Sequence, residues 1–289
     1  MLKKLGILVA ASMALGAVDA GAADFTGALK KIKETGTIVV GHRESSVPFA
    51  YIGPDQKPIG YSIDLCMKIV DAVKKELGLD KLAVKLVPVT PQTRIPLIAN
   101  RNIQLECGST TNNLTRQKQV DYAYTTFITG TKILTKKSSG IKEVEDLAGK
   151  AIALAQGTTN ERAIKNAIKD LKIANVKVLN VKDHAEGFLA LQTDRVDAYS
   201  TDDILLYGLI SKAKKPADYE VVGRFLSFDP YAIMVGRDDS AFRLVANRTL
   251  ADLFRSGEIE KIYSKWFDPM NVPMSDTLRT NFAVNAYPY

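Results

Sequence analysis

The chain reads as an α/β protein of two similar lobes with a cleft between them. Three observations point there. β-type runs alternate with helical runs along the chain, which is the order of a mostly parallel sheet covered by helices. The segments VTPQTRIPLIANRNIQLECGST and VKDHAEGFLALQTDRVDAYSTD can be laid over each other, with Val89 on Val181, Leu97 on Leu189 and, after one extra residue, Ile103 on Val196. Two separate stretches could join one lobe to the other.

The elements follow in order. Lys3 and Lys4, an apolar run from Leu5 to Val18 and the Ala20-Gly21-Ala22 pattern make residues 1–23 a cleaved secretory signal peptide. The run is shorter than the ~20 residues that span a bilayer. Thr37 to Val40 is a β-branched run. Ile63 to Leu77 carries apolar residues at 63, 65, 66, 69, 70, 73 and 77, which is helical spacing. Ala83 to Val89 alternates like a strand, Ile95 to Ala99 is a short helix, and Ile103 to Cys107 a strand. In the second lobe, 151–155 is a buried strand, 160–171 a helix, 176–181 a strand, 185–192 a helix and 196–200 a strand. Thr125 to Thr131 and Ser227 to Tyr231 are the candidate connections. A strand at 232–235 and a helical region at 241–264 then return the chain to the first lobe. The expected boundaries are 24–128 plus 231–289 for lobe 1 and 129–230 for lobe 2.

Composition narrows the function. The 289 residues are 46% apolar and 25% charged, as in an ordinary soluble protein. Two cysteines and two histidines are too few for a disulfide scaffold or most zinc sites. No GxxxxGK[ST], HExxH or GxSxG motif occurs. No cofactor and no metal is expected. Removing Lys3, Lys4 and Asp19 with the signal peptide leaves 37 minus 31, or +6. The lysines are dispersed without an aromatic-basic stripe, so nucleic acid is not the expected partner. No later segment is apolar enough to span a membrane.

Ligands of such proteins sit between domains, at the carboxyl ends of parallel strands. The polar residues that follow each strand are Arg43 after the first, Arg94 after Val89, and Ser109, Thr111 and Arg116 after Cys107. Thr158 and Thr159 follow Ala155, His184 follows Val181, and Asp202 and Asp203 follow Ser200. Arginine presents a flat fork of donors matched to a carboxylate. Helix starts such as Thr158-Thr159-Asn160 offer free N–H groups to anions. An aspartate suits an amine. The set is consistent with a ligand that has two carboxylates and one ammonium. His42 is expected to pack away from Arg43, and Asp203 to be an exposed cap.

These residues carry a resemblance. GHRESSVPFAY followed by GYSIDL resembles the entry segment of solute-binding family 3, the periplasmic amino-acid-binding proteins of ABC transporters. RIPLIANRNIQLECGSTTNNLTRQKQ, with LTKK, GTT, KDH and DD further on, is similar to the glutamate/aspartate-binding branch. The resemblance implies the type II periplasmic-binding fold, with two α/β lobes that close on an amino acid. It implies that Arg43, Arg94 and His184 face the side-chain carboxylate. Arg116, with Thr111 and the Thr159 amide, would clamp the α-carboxylate. Asp202 and Ser109 would receive the α-ammonium. The partner implied is an inner-membrane ABC permease, and the protein is expected to be a periplasmic monomer.

Two departures from the pattern matter. Ser62 stands where the broad family has an acid. Pro91 stands where the branch commonly has serine, which leaves glutamate against aspartate open. Cys66 on the first long helix and Cys107 at a strand end are either a disulfide or two buried thiols. Binding competes with two other readings, a dehydratase-like enzyme on the same fold and a ligand-sensing partner of a receptor. An enzyme would need a poised base, for which Glu44 and Glu106 are the glutamates near strand ends.

Overall fold

The computed structural model describes residues 25–288; the signal-peptide reading of residues 1–23 lies outside them. The first lobe begins with α1 (Gly27–Thr35), β1 (Thr37–His42) and a small meander, β2 (Ser45–Ser46), β3 (Ala50–Ile52) and β4 (Pro58–Ile59). It continues through α2 (Tyr61–Glu76), β5 (Ala83–Pro88), α3 (Arg94–Ala99), β6 (Leu105–Cys107) and β7 (Val120–Thr129). After Gly130 come β8 (Thr131–Lys136), β9 (Ala151–Ala155), α4 (Thr159–Asp170), β10 (Lys177–Val181) and α5 (His184–Gln192). Then follow β11 (Ala198–Asp202), α6 (Asp203–Ser211) and β12 (Tyr219–Val222). The chain returns through β13 (Asp229–Gly236), α7 (Ser240–Ser256), α8 (Glu258–Phe267) and α9 (Asp276–Val284).

Two five-stranded sheets result, in the orders β5-β1-β6-β13-β7 and β10-β9-β11-β8-β12. They have one topology. A central strand has a parallel partner on each side: β1 pairs with β5 and β6, and β9 with β10 and β11. An antiparallel strand follows, β13 on β6 and β8 on β11. The repeat seen in the sequence is thus the β5–α3–β6 unit against the β10–α5–β11 unit. Parallel order places the carboxyl ends of the three parallel strands of each sheet on one edge, and the two edges face each other across the cleft.

The first sheet packs on α2, α7 and α8 through Ile38, Val40, Leu65, Ile69, Val235, Phe242, Leu250 and Ile262, all at most 9% exposed. At the heart of this core, Phe49 lies edge-on to Phe127 at 5.0 Å, Tyr231 at 5.1 Å and Phe267 at 5.6 Å. Burying four large rings stabilises each by about 1.5–3 kcal/mol, and edge-to-face geometry adds to that. Cys66 of α2 and Cys107 of β6 form a disulfide with their Cα atoms 6.2 Å apart, which settles the open alternative.

The lobes are joined where β7 passes into β8 and where Leu226 to Phe228 leads into β13. The two crossings lie side by side: Leu226 N–H donates to Thr131 O at 3.0 Å, and Thr131 N–H to Ser227 Oγ at 3.0 Å. The region 241–264 is not one helix. Gly257, at φ 73°, divides it into α7 and α8.

Candidate functional site

Every polar residue of the cleft ends or follows a strand, and four of them stand at the start of a helix. Arg43 follows β1. Arg94 opens α3, Thr159 opens α4 behind the Thr158 cap, and His184 opens α5 behind the Asp183 cap. Asp202 ends β11 and stands at the N-cap position of α6, its side chain free of any cap bond. Caps hold these positions: Thr158 accepts from Glu161 N at 3.0 Å and Asp183 from Glu186 N at 3.1 Å. A rigid backbone at each helix start fixes where the next side chain projects.

Between the lobes lies a small cavity. Arg43, Arg94, Ser109, Thr111, Thr159, His184 and Asp202 line it, with Thr158, Asn160 and Leu205. Leu205 carries no sequence signal for such a place.

One end of the cavity is cationic and donor-rich. Arg43 is 1% and Arg94 2% exposed. Burial, and then the neighbouring Arg94, lower the Arg43 pKa to about 10, so the guanidinium stays charged near neutral pH. Arg94 Nη1 donates to Thr110 Oγ1 at 2.5 Å and to Ser109 O at 3.3 Å. The same nitrogen lies 4.0 Å from Glu106 Oε1, and Thr110 Oγ1 donates to Glu106 Oε2 at 2.6 Å. His184 Nδ1 lies 2.6 Å from Tyr199 Oη. Burial, then Arg43 and Arg94, hold the His184 pKa well below its ordinary value, so the ring is neutral. Arg43 Nη2, Arg94 Nε and His184 Nε2 are buried and have no hydrogen-bond partner among the described residues. Such atoms are costly to bury unpaired.

The other end is acidic. Asp202 Oδ1 accepts from Asn160 Nδ2 at 2.7 Å, and Oδ2 accepts from the Tyr231 phenol. Burial, and then Asp229, push the Asp202 pKa up to about 8. Asp229 accepts from Thr111 Oγ1 at 2.9 Å and from Ser227 Oγ.

Arg116 is placed differently from the other expected residues, outside the lining. It is buried, and its burial lowers its pKa to about 10. Nη1 donates to Thr111 O at 2.9 Å and Nη2 to Gly157 O at 3.1 Å, so the guanidinium bridges the lobes beside the cavity. Thr111 and Thr159 meet at the same seam, with hydroxyls 3.2 Å apart. His42 is packed, with Nδ1 3.2 Å from Arg43 O. Asp203 is half-buried, its carboxylate accepting from Thr129 Oγ1 at 2.6 Å. Ser62 donates to Gly108 O at 2.7 Å and so steadies the turn that carries Ser109. Pro91 is buried but does not line the cavity. Sequence reasoning missed Tyr199, Asp229 and Tyr231, which hold His184, Thr111 and Asp202. Their roles lie in pairings that no local pattern announces.

Among the described residues no group of His, Cys, Asp and Glu could hold a metal ion, and no helix is long and apolar enough to cross a membrane.

Comparison with known proteins agrees with this architecture. The chain is 48% identical over 265 residues to the L-glutamate/L-aspartate-binding protein of Pseudomonas aeruginosa, covering 89% of this chain and 87% of that one. It is 42% identical over 284 residues to the glutamate/aspartate import solute-binding protein of Escherichia coli, covering 96% and 94%. A solved structure of an ancestral arginine-binding protein bound to glutamine superposes with a TM-score of 0.70 at 30% identity, covering 80% of this chain and 98% of that one. Residues 38–269 match the profile of bacterial extracellular solute-binding proteins, family 3. With that match over most of its length, the chain belongs to the bacterial extracellular solute-binding proteins of family 3.

Proposed function

We propose that this protein captures an acidic L-amino acid, glutamate or aspartate, in the periplasm and delivers it to an inner-membrane ABC permease. One observation carries the reading. Three buried nitrogens without protein partners, Arg43 Nη2, Arg94 Nε and His184 Nε2, belong to residues that line a cavity also lined by Asp202. A side-chain carboxylate satisfies the first group and an α-ammonium the second. The α-carboxylate falls to the seam between them, where Thr111, the Thr159 amide and the remaining N–H groups of Arg116 meet. Ser109 assists at the ammonium. The names of the two curated relatives support the same ligand class.

Capture works by closure. Arg43, Arg94, Ser109 and Thr111 come from the first lobe, and Thr159, His184 and Asp202 from the second. A ligand favours the closed form only through contacts made there, and the second-lobe residues supply them. Glu106, the candidate base, lies under Arg94 and outside the cavity lining, which supports capture over proton transfer.

The test is calorimetric titration of unfolded-and-refolded, ligand-stripped protein with the twenty amino acids. Glutamate and aspartate bind, and the neutral and basic amino acids bind far more weakly. Preference for a basic or aliphatic amino acid refutes the proposal.

A further inference from the structure

We propose that Tyr199 is a specificity-determining positioning residue: by donating its phenol proton to His184 Nδ1 it keeps the imidazole proton on Nε2, so that the cavity reads a carboxylate and rejects a carboxamide. The inference rests on the acidic-ligand reading above and adds to it the residue that sets discrimination at the side-chain end.

Both partners are interior. His184 is 2% and Tyr199 0% exposed, and their 2.6 Å separation is that of a well-formed hydrogen bond. The ring of Tyr199 has no freedom to leave. A Cβ on Gly187, three residues after His184 on α5, would overlap the Tyr199 ring, so the helix start packs directly on it. Glycine at this position lets α5 approach β11 closely enough for the two side chains to meet.

The direction of the bond follows from proton accounting. A neutral imidazole has one N–H and one acceptor nitrogen. A phenol has a single proton. If Tyr199 donates to Nδ1, that proton is satisfied and Nε2 carries the ring proton. In the reverse arrangement Nδ1–H donates to the phenol oxygen, and the phenol turns its proton to Thr201, the other side chain that reaches it. The first arrangement is the one assigned, because Nε2–H is the intrinsically favoured form of a neutral histidine ring and Thr201 Oγ1 already directs its own proton to Asn160 Oδ1. Burial pushes the Tyr199 pKa well above its ordinary value, so the phenol keeps its proton.

The consequence is chemical. With the proton on Nε2, the end of the cavity lined by Arg43, Arg94 and His184 offers donors only. A carboxylate, which only accepts, matches it. A carboxamide brings N–H groups that meet donors and find no acceptor. If the proton moved to Nδ1, Nε2 would accept from an amide, and the distinction would weaken.

The experiment has two arms on the full mature protein. Long-range ¹H–¹⁵N correlation of the ring nitrogens reads the tautomer, His42 being assigned with the His42→Gln variant. In the ligand-free parent His184 is expected to be the neutral Nε2–H tautomer; the Nδ1–H tautomer or a protonated ring overturns the proposal, whatever the ligand proves to be. In the second arm Tyr199→Phe is titrated with glutamate and glutamine. The ratio of the two dissociation constants is expected to shrink roughly tenfold, the worth of about one charged hydrogen bond. An unchanged ratio overturns the proposal. Should Tyr199→Phe fail to fold, Gly187→Ala, which displaces the ring and keeps the hydroxyl, is measured in its place with the same expectation. Failure of the parent to bind glutamate at all would refute the ligand reading and leave the tautomer arm standing.

Discussion

Tyr231, from the aromatic core of the first lobe, donates its phenol to the carboxylate of Asp202, at the end of a strand of the second. The bond crosses beside the hinge. It ties the residue proposed to read the ligand amine to the cluster of Phe49, Phe127 and Phe267. With the lobes together Asp202 is held in place by this bond, as a buried carboxylate whose own pKa is raised to about 8.

That raised pKa makes Asp202 a stability cost that the ligand relieves. The sign follows from linkage. Folding with Asp202 protonated contributes stability fully present below the ordinary carboxylate pKa of about 4. That stability is lost as pH rises through about 8. Asp202→Asn removes the dependence. The ligand-free variant is expected to melt above the parent, by a margin that widens from pH 4 to pH 8, while its glutamate affinity drops by tenfold or more, about 1.4 kcal/mol. Thermal melts across that range check it. A margin independent of pH contradicts the assignment.

Closure requires Gly208. On α6 its Cα faces Val47 of the first lobe, and a Cβ there would overlap the Val47 carbonyl. Were the lobes to separate, this overlap would be relieved, and alanine favours the helix over glycine by up to about 1 kcal/mol. Gly208→Ala is therefore expected to weaken glutamate binding at least about tenfold without lowering the ligand-free Tm. Equal affinity would show that the lobes close without this contact.

Arg94 both lines the cavity and lies beside Glu106. Arg94→Ala removes a donor from the cavity and takes from the fully buried Glu106 the guanidinium 4.0 Å away, leaving Arg43 and Arg116 as its nearby cations. Breaking such a pair costs about 3–5 kcal/mol. The double variant Arg94→Met, Glu106→Gln is expected to recover most of that stability but not the glutamate affinity. Recovery of both would place Arg94 in a purely structural role.

The Cys66–Cys107 disulfide closes a loop across a sequence separation of 41. A loop of that length stabilises by about 4 kcal/mol through the unfolded chain. Reduction under mild denaturant, or replacement of both cysteines by alanine, is expected to lower Tm by roughly 10 °C and to leave glutamate affinity near the parent value, because neither cysteine lines the cavity. Loss of binding at temperatures where the reduced protein is folded would show that the bridge shapes the site.

Much of this was legible in the sequence because it is local. The apolar spacing from Ile63 to Leu77 marks α2, and the residues just beyond each strand carry the chemistry of the cleft. Where local pattern failed, tertiary structure had decided. Thr125 to Thr131 reads as an extended connector, yet it is the junction of two long strands that belong to different sheets. The helix α6 is apolar on nearly every side and lacks the amphipathic stripe that reveals a surface helix. Arg116 was legible as a cleft residue, but its bridge to the Gly157 carbonyl depends on how the lobes meet. The same holds for Tyr199 on His184 and Tyr231 on Asp202. A sequence names the residues at a strand end and leaves unsaid which distant side chain will hold them.

The central claim is that one cavity reads two features of its ligand at once, a second carboxylate at the Arg43, Arg94 and His184 end and an ammonium at Asp202. Competition calorimetry on the ligand-stripped parent tests it most directly, with glutamate, glutamine and glutarate displacing one another in the same buffer. Glutamine neutralises the first feature and glutarate deletes the second. Each is expected to bind at least about tenfold more weakly than glutamate, the worth of one charged hydrogen bond or more. Glutamine binding as tightly as glutamate would contradict the donor-rich end, and glutarate binding as tightly would contradict the role of Asp202.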